Sequence, residues 1–248
     1  MQRPPEGGDD TPSPGSPWLP GDARPQSPSG DDSIPESEAS RAARWAMVRH
    51  QIEARGVRDP RVLAALRRVP RHRFVPADRL DEAYADRPLP IGFGQTISQP
   101  YIVALMTELV RPQAGDRALD VGSGSGYQAA ILAELVDDVC GLEIVPELAS
   151  QATARLEQLG YTNVRVHHAD GYGGWPAAAP YQIIVVAAAP PQVPAALIDQ
   201  LAPGGRMVLP VGRGNQTLRL IRKGTDGEVE QQDIAAVAFV PMIGDADR

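Results

Sequence analysis

One cysteine in 248 residues is too few for a disulfide, and no Cys/His spacing in the chain suits a metal. Cys140 lies inside an apolar run and reads as a buried, inert thiol in a protein of a reducing compartment. A basic cluster is missing too. The 24 basic and 31 acidic side chains leave a net charge of -7, which argues against nucleic acid as a partner, because phosphates need a basic face. No apolar run approaches the roughly 20 residues that cross a bilayer, and the N-terminus lacks the charged head and apolar stretch of a secretory signal. The expectation is a cytoplasmic protein without membrane contact, whose partners are peptides or small molecules.

What is present describes a globular domain with a core: 42% hydrophobic and 22% charged residues. Residues 1–40 hold 9 of the 25 prolines among Gly, Ser, Asp and Glu, and read as a disordered tail. Residues 41–248 read as one domain, with a helical lead-in over 41–115, a cofactor-binding sheet core over 116–212 and a C-terminal strand pair over 213–248. In the lead-in, "RAARWAMVRHQIEARG" places apolar residues at helical intervals and stops at Gly56, and Asp59 with Pro60 opens a second helix. From Arg117, short apolar runs such as "RALDVG", "VCGLEI" and "YQIIVVAAA" alternate with helical patterns such as "PELASQATARLEQLG". That alternation predicts an α/β fold with a mostly parallel sheet covered on both faces. Beyond it, two strands around a turn at Thr225, Asp226 and Gly227 predict an antiparallel edge.

The stretch "ALDVGSGSGYQAA" sets Gly122, Ser123, Gly124 and Gly126 between a strand and a helix, where glycines let a ligand approach the backbone and a helix start favours negative charge. Glu143 ends the next strand, where a carboxylate can accept ribose hydroxyls, so the pair describes an adenosine cofactor site. A dinucleotide loop has G-x-G-x-x-G, whereas the spacing here is G-x-G-x-G. Asp120 at the strand end suits a cationic ligand better than a pyrophosphate, which points to S-adenosylmethionine, with its ammonium and sulfonium. Asp170, followed by Gly171, closes the third strand; its carboxylate either accepts from an adenine amino group or forms an Asx turn.

Beyond the fourth strand, "VVAAAPPQVP" offers no polar group to hold an amine. An acceptor that is already an anion, such as a carboxylate, needs no proton removed before it attacks a methyl group. His167 and His168 point to opposite faces of a strand, His50 and His72 lie in the lead-in, and no triad assembles from them.

One further stretch, "GQTISQP" at residues 94–100, precedes a helix. Together with "MVRHQIEARGVRDPRVLAALRRVPRHRFVP", "ALDVGSGSGYQAAILAEL", "LAPGGRMVLPVG" and "VPMIG", it makes the chain resemble the protein-L-isoaspartate O-methyltransferase family over roughly residues 45–244. The resemblance implies a Rossmann-like S-adenosylmethionine-dependent methyltransferase fold with a seven-stranded sheet. It also implies methyl transfer to the free α-carboxylate of L-isoaspartyl residues in damaged proteins and peptides, by a monomer. By that resemblance Ser98 is the active-site residue, holding the substrate carboxylate. The alternative is a plain helix cap at Ser98, with Pro100 in the first turn. Gln95, Thr96 and Ile97 read as a loop over the cofactor that contacts substrate. Ala169, Gln182 and Ala187 depart from the family's usual glycine, aspartate and threonine. Two other readings keep the cofactor: a methyltransferase for a different acceptor, and a binding module without catalysis.

Overall fold

The computed structural model describes residues 36–244. The tail expected over 1–40 falls outside the described residues except at its end, where helix α1 (Glu38–Met47) already begins. The boundary moves because Ser37 is the N-cap, its hydroxyl accepting from Ser40 N at 3.0 Å, and because Glu36 grips the buried Arg44. Past Met47 the backbone widens into a π turn over Val48–Ile52 and tightens into a 3-10 turn over Glu53–Arg55. It ends at Gly56 in the left-handed region, the expected stop. Helix α2 (Pro60–Arg68) opens with Asp59 Oδ1 accepting from Arg61 N at 2.9 Å and Pro60 in its first turn.

Strands β1 (Leu89–Gly92) and β2 (Gln95–Ile97) form an antiparallel hairpin that leads into α3 (Pro100–Leu109). Gln95, Thr96 and Ile97 are therefore a strand and not the expected loop. Leu89 pairs with Ile97 and both are buried, while Gly92, Phe93 and Gly94 all take positive φ in the turn between the strands.

The main sheet contains β3 (Arg117–Val121), β4 (Asp138–Glu143), β5 (Val164–His168), β6 (Tyr181–Val186), β7 (Leu201–Val211), β8 (Gln216–Lys223) and β9 (Val229–Val237). Their spatial order is β5-β4-β3-β6-β7-β8-β9. The pairings from β5 to β7 are parallel and the last two antiparallel, as the alternation and the turn at residues 225–227 imply. Alternation along β3 sends Leu119 and Val121 to one face with Cys140 and Ile184, and Ala118 to the other with Val139 and Ile183. Each fully buried aliphatic side chain contributes about 1.5–3 kcal/mol, so both faces anchor the sheet. Helices α4 (Tyr127–Ala133) and α5 (Pro146–Gln158) cover the Ala118 face, while Leu197 of α6 (Ala195–Asp199) packs on the other.

The order has one reversal. The chain runs outward from β3 through β4 to β5, then returns to the far side of β3 with β6. In open α/β sheets the crevice beyond the strand ends at such a point is where ligands bind.

Candidate functional site

A narrow cleft opens at that reversal. Its walls come from the ends of four strands: Val121 of β3 and Gly122 after it, Glu143 of β4, Ala169 and Gly171 after β5, and Ala187 after β6. The loop after β3 is pinned to its neighbour, since the amides of Gly122 and Ser123 both donate to Leu142 O, at 2.8 and 3.0 Å. Gly124 sits at φ 51° and its N–H donates to Glu143 Oε2 at 2.8 Å, a turn that a side chain would strain. Glu143 Oε1 accepts from Val145 N at 2.9 Å. The carboxylate is thus buried and held at both ends, and each oxygen keeps a lone pair for a further donor in the cleft.

Asp120 lies behind this loop, fully buried, and neither carboxylate oxygen has a partner among the described residues. Burial pushes its carboxyl up to about 7. A buried carboxylate without a donor is costly, and a cation placed nearby would relieve it. The orphaned acid, the glycine loop and the latched Glu143 together fit an adenosine-bearing cation.

The remaining expected residues divide. Gln95, Thr96, Gly122, Gly124, Glu143 and Gly171 line one cleft. Ser123 turns its side chain inward, its Oγ donating to Asp120 O at 3.3 Å, and Gly126 packs against α5 as the N-cap of α4. Ile97 is buried in the core beneath the hairpin. Asp170 Oδ1 accepts from Tyr172 N at 2.8 Å and caps a 3-10 turn, the Asx geometry of the two readings. Gly171 must lack a side chain, because a Cβ there would lie 2.4 Å from Val121 Cγ1.

Ser98 stands at a junction. It borders a small crevice with Gly122, Gly124 and Ala187, and also a groove of about 680 Å³ between α3 and the edge strand β9. Thr96 borders the cleft and the groove alike. The N-cap of α3 is Gln99, and no side chain of the cap residue bonds back to the helix, so Ser98 does not serve as the cap. Its hydroxyl is half-exposed and, among the described residues, uncommitted.

Three parts of the site lay outside the expected set. The segment Val240, Pro241, Met242 and Ile243 closes the cleft from above, tied by Ala189 N to Val240 O and Met242 N to Ala189 O, both at 2.9 Å. Its sequence signal is the apolar "VPMIG" that continues past the end of β9. Arg55 and Tyr101 line the groove, and no spacing in the sequence links them. Asp86 accepts from Arg55 Nη1 at 2.6 Å and from Gln99 Nε2 at 2.8 Å, tethering the 3-10 turn to the start of α3.

Of the departures noted in the sequence, Gln182 has a clear role: its Oε1 accepts from Arg117 N at 2.9 Å at the start of β3. Ala169 and Ala187 present only methyl groups to the cleft. The histidines lie elsewhere: His167 stacks on Trp175 with centroids 4.3 Å apart, His72 Nδ1 meets Tyr84 OH at 2.6 Å, and His168 Nε2 is 3.2 Å from Ile144 O. Among the described residues no cluster suits a metal, and no helix is long and apolar enough to cross a membrane.

Comparison with known proteins bears on this geometry. The family model of protein-L-isoaspartate(D-aspartate) O-methyltransferase matches residues 42–247. A protein-L-isoaspartate O-methyltransferase of Picosynechococcus sp. is 54% identical over 203 residues, covering 82% of this chain and 91% of its own. One of Anaeromyxobacter dehalogenans is 57% identical over 190 residues, covering 75% of this chain and 91% of its own. Among solved structures, a Plasmodium falciparum protein described as a candidate for the same enzyme, in complex with S-adenosyl-L-homocysteine, superposes with a TM-score of 0.70 at 26% identity, over 81% of this chain and 98% of its own.

Proposed function

The chain belongs to the protein-L-isoaspartate(D-aspartate) O-methyltransferase family, and from that premise we infer that it methylates the free α-carboxylate of L-isoaspartyl residues in damaged proteins and peptides, using S-adenosyl-L-methionine. The neighbouring backbone nitrogen then attacks the resulting methyl ester and expels methanol to give a succinimide, whose hydrolysis returns some normal aspartate. The observation that carries the site assignment is the junction at Thr96 and Ser98, where the glycine-loop cleft meets an open groove of about 680 Å³.

S-adenosylmethionine, when bound, supplies the electrophilic methyl group. Glu143 would accept hydrogen bonds from the ribose hydroxyls, and Asp120 would balance the positive charge of the cofactor from behind the glycine loop. Gly122, Gly124 and Gly171 let the backbone lie close against it, under the lid of Val240–Ile243. Ser98 donates its hydroxyl to the substrate carboxylate and holds one oxygen toward the cleft; it positions and does not attack. No general base is required, because the attacking oxygen is ionised at neutral pH. The apolar walls at Ala169, Ala187 and Met242 keep water from the nucleophile, which strengthens it. Gln95 and Thr96 flank the carboxylate on the hairpin side. We read the protein as a cytoplasmic monomer; its single cysteine, buried and unpaired in a disulfide, fits a reducing compartment.

The test uses labelled S-adenosylmethionine and two synthetic peptides that differ only in carrying L-isoaspartate or L-aspartate. Label on the isoaspartyl peptide alone, lost in mild base as an ester, is the expected result. A protein that binds the cofactor yet labels neither peptide has another acceptor or none.

A further inference from the structure

The groove that receives the peptide carries one charged side chain along its wall, Arg55. Its guanidinium carbon lies 3.5 Å from the centroid of the Tyr101 ring, and Nη1 donates to Asp86 Oδ2 at 2.6 Å. Stacking below and an ion pair at one end fix the group in place, although the side chain is 45% exposed. A guanidinium has five N–H donors, and among the described residues Arg55 bonds through Nη1 alone. Its free edge is an orientated, unused fork of the kind that takes a carboxylate in two parallel hydrogen bonds.

Asp86 does not cancel this charge. Its carboxylate also accepts from Gln99 Nε2 at 2.8 Å and from Tyr101 N at 3.2 Å, and it sits at the positive N-terminal end of α3. The acid is therefore satisfied by the helix start as well as by Arg55, and the local balance at the groove wall is positive. Arg55 is also not placed to hold the carboxylate that is methylated. Thr96 and Ser98 border both the groove and the spaces beside the glycine loop, whereas Arg55 borders the groove alone.

We propose that Arg55 is a specificity-determining residue that receives a second carboxylate of the substrate, near the isoaspartyl residue in the peptide and distinct from the one methylated. The inference rests on the isoaspartyl reading above. Two sources share this chemistry: an acidic flanking side chain and the terminal carboxylate of a short peptide.

The experiment uses the full chain and isoaspartyl peptides in which one flanking position at a time carries Glu or Gln, with amidated C-termini. A further pair has neutral flanks and a free or amidated C-terminus. The readout is the ratio of kcat/KM for the acidic over the neutral member of each pair. At one position, or for the free terminus, this ratio is expected to be roughly threefold to tenfold, carried by KM and shrinking as salt rises. Arg55→Gln is expected to bring it close to one, Arg55→Lys to leave it intermediate because charge remains without the fork, and Arg55→Glu to push it below one. Melting curves of each variant confirm folding, and a ratio taken within one variant is insensitive to a general loss of activity. A ratio of one at every position in the unaltered protein, or an undiminished ratio in Arg55→Gln, overturns the proposal while leaving the isoaspartyl reading intact. Failure to methylate any isoaspartyl peptide overturns both.

Discussion

Asp86 Oδ1 accepts the backbone N–H of Tyr101 at 3.2 Å, so the start of α3 is capped by a residue from the far side of the hairpin. The cap residue itself, Gln99, bonds to Asp86 and not to the helix. Ser98 is therefore spared the duty that a serine before a helix usually carries, and the same contact fixes where its hydroxyl stands. Asp86→Ala is expected to cost about 1 kcal/mol in stability, the usual worth of a cap, and to lower turnover without a matching loss of cofactor affinity. Denaturant midpoints set beside kcat and the cofactor Kd check this. Asp86→Asn, which keeps an acceptor, is expected to recover most of the stability.

Ser98→Ala separates positioning from structure. Because the hydroxyl caps nothing, the variant is expected to keep its melting temperature and its cofactor affinity while kcat falls on the order of tenfold to a hundredfold, the worth of one charge-assisted hydrogen bond realised at the reacting carboxylate. Calorimetric titration with S-adenosyl-L-homocysteine beside turnover on an isoaspartyl peptide measures both. Parallel losses in the two would mark Ser98 as structural.

Asp120 gives the ligand-free protein a pH dependence. Burial raises its carboxyl to about 7 from 3.8, so between those values the folded protein holds a proton that the unfolded chain releases. Stability is expected to fall as pH rises across that window and to level off above it, by an amount on the order of a few kcal/mol. His72 and His167 are held below their usual range by burial and tilt the curve the opposite way at mildly acid pH. The readout is accordingly the difference between unaltered protein and Asp120→Asn, whose curve is expected to be flatter. Cofactor binding is expected to strengthen from pH 6 to pH 8 in the unaltered protein, as the carboxylate ionises to meet the cation, and much less in the variant.

Glu143→Gln tests the latch on the glycine loop. A carboxylate accepts from both Gly124 N and Val145 N, whereas an amide has a single acceptor oxygen and leaves one of those amides facing an N–H₂ group. Cofactor affinity is expected to fall by about 1.5–3 kcal/mol, roughly tenfold or more, with a smaller drop in thermal stability. Fluorescence or calorimetric titration resolves it.

The centre of the sheet was legible in the sequence because β3, β4 and β6 are buried on both faces and read as continuous apolar runs, and the glycine loop because positive φ at Gly122, Gly124 and Gly126 demands that residue. The hairpin was not. Gln95, Thr96 and Ile97 are too few, and too polar, to show alternation, and their pairing is set by Leu89 across a turn. Arg55, Asp86 and Tyr101 meet only because a π turn, a 3-10 turn and a helix start converge, and no local pattern encodes that meeting. At Asp170 the structure shows an Asx turn through Tyr172 N, one of the two readings, formed by Oδ1 alone.

The strap of Val240–Ile243 has a consequence for synthesis. The glycine loop emerges from the ribosome long before the residues that roof it, and the bridge from Pro241 to Ala189 waits until β8 and β9 have both been laid down. A nascent chain that stops short of residue 240 holds the loop and Glu143 but lacks one wall of the cleft. The cleft is thus completed only after the last strand has been made, by contacts that reach from Ala189 to Pro241 and from Tyr172 to Met242.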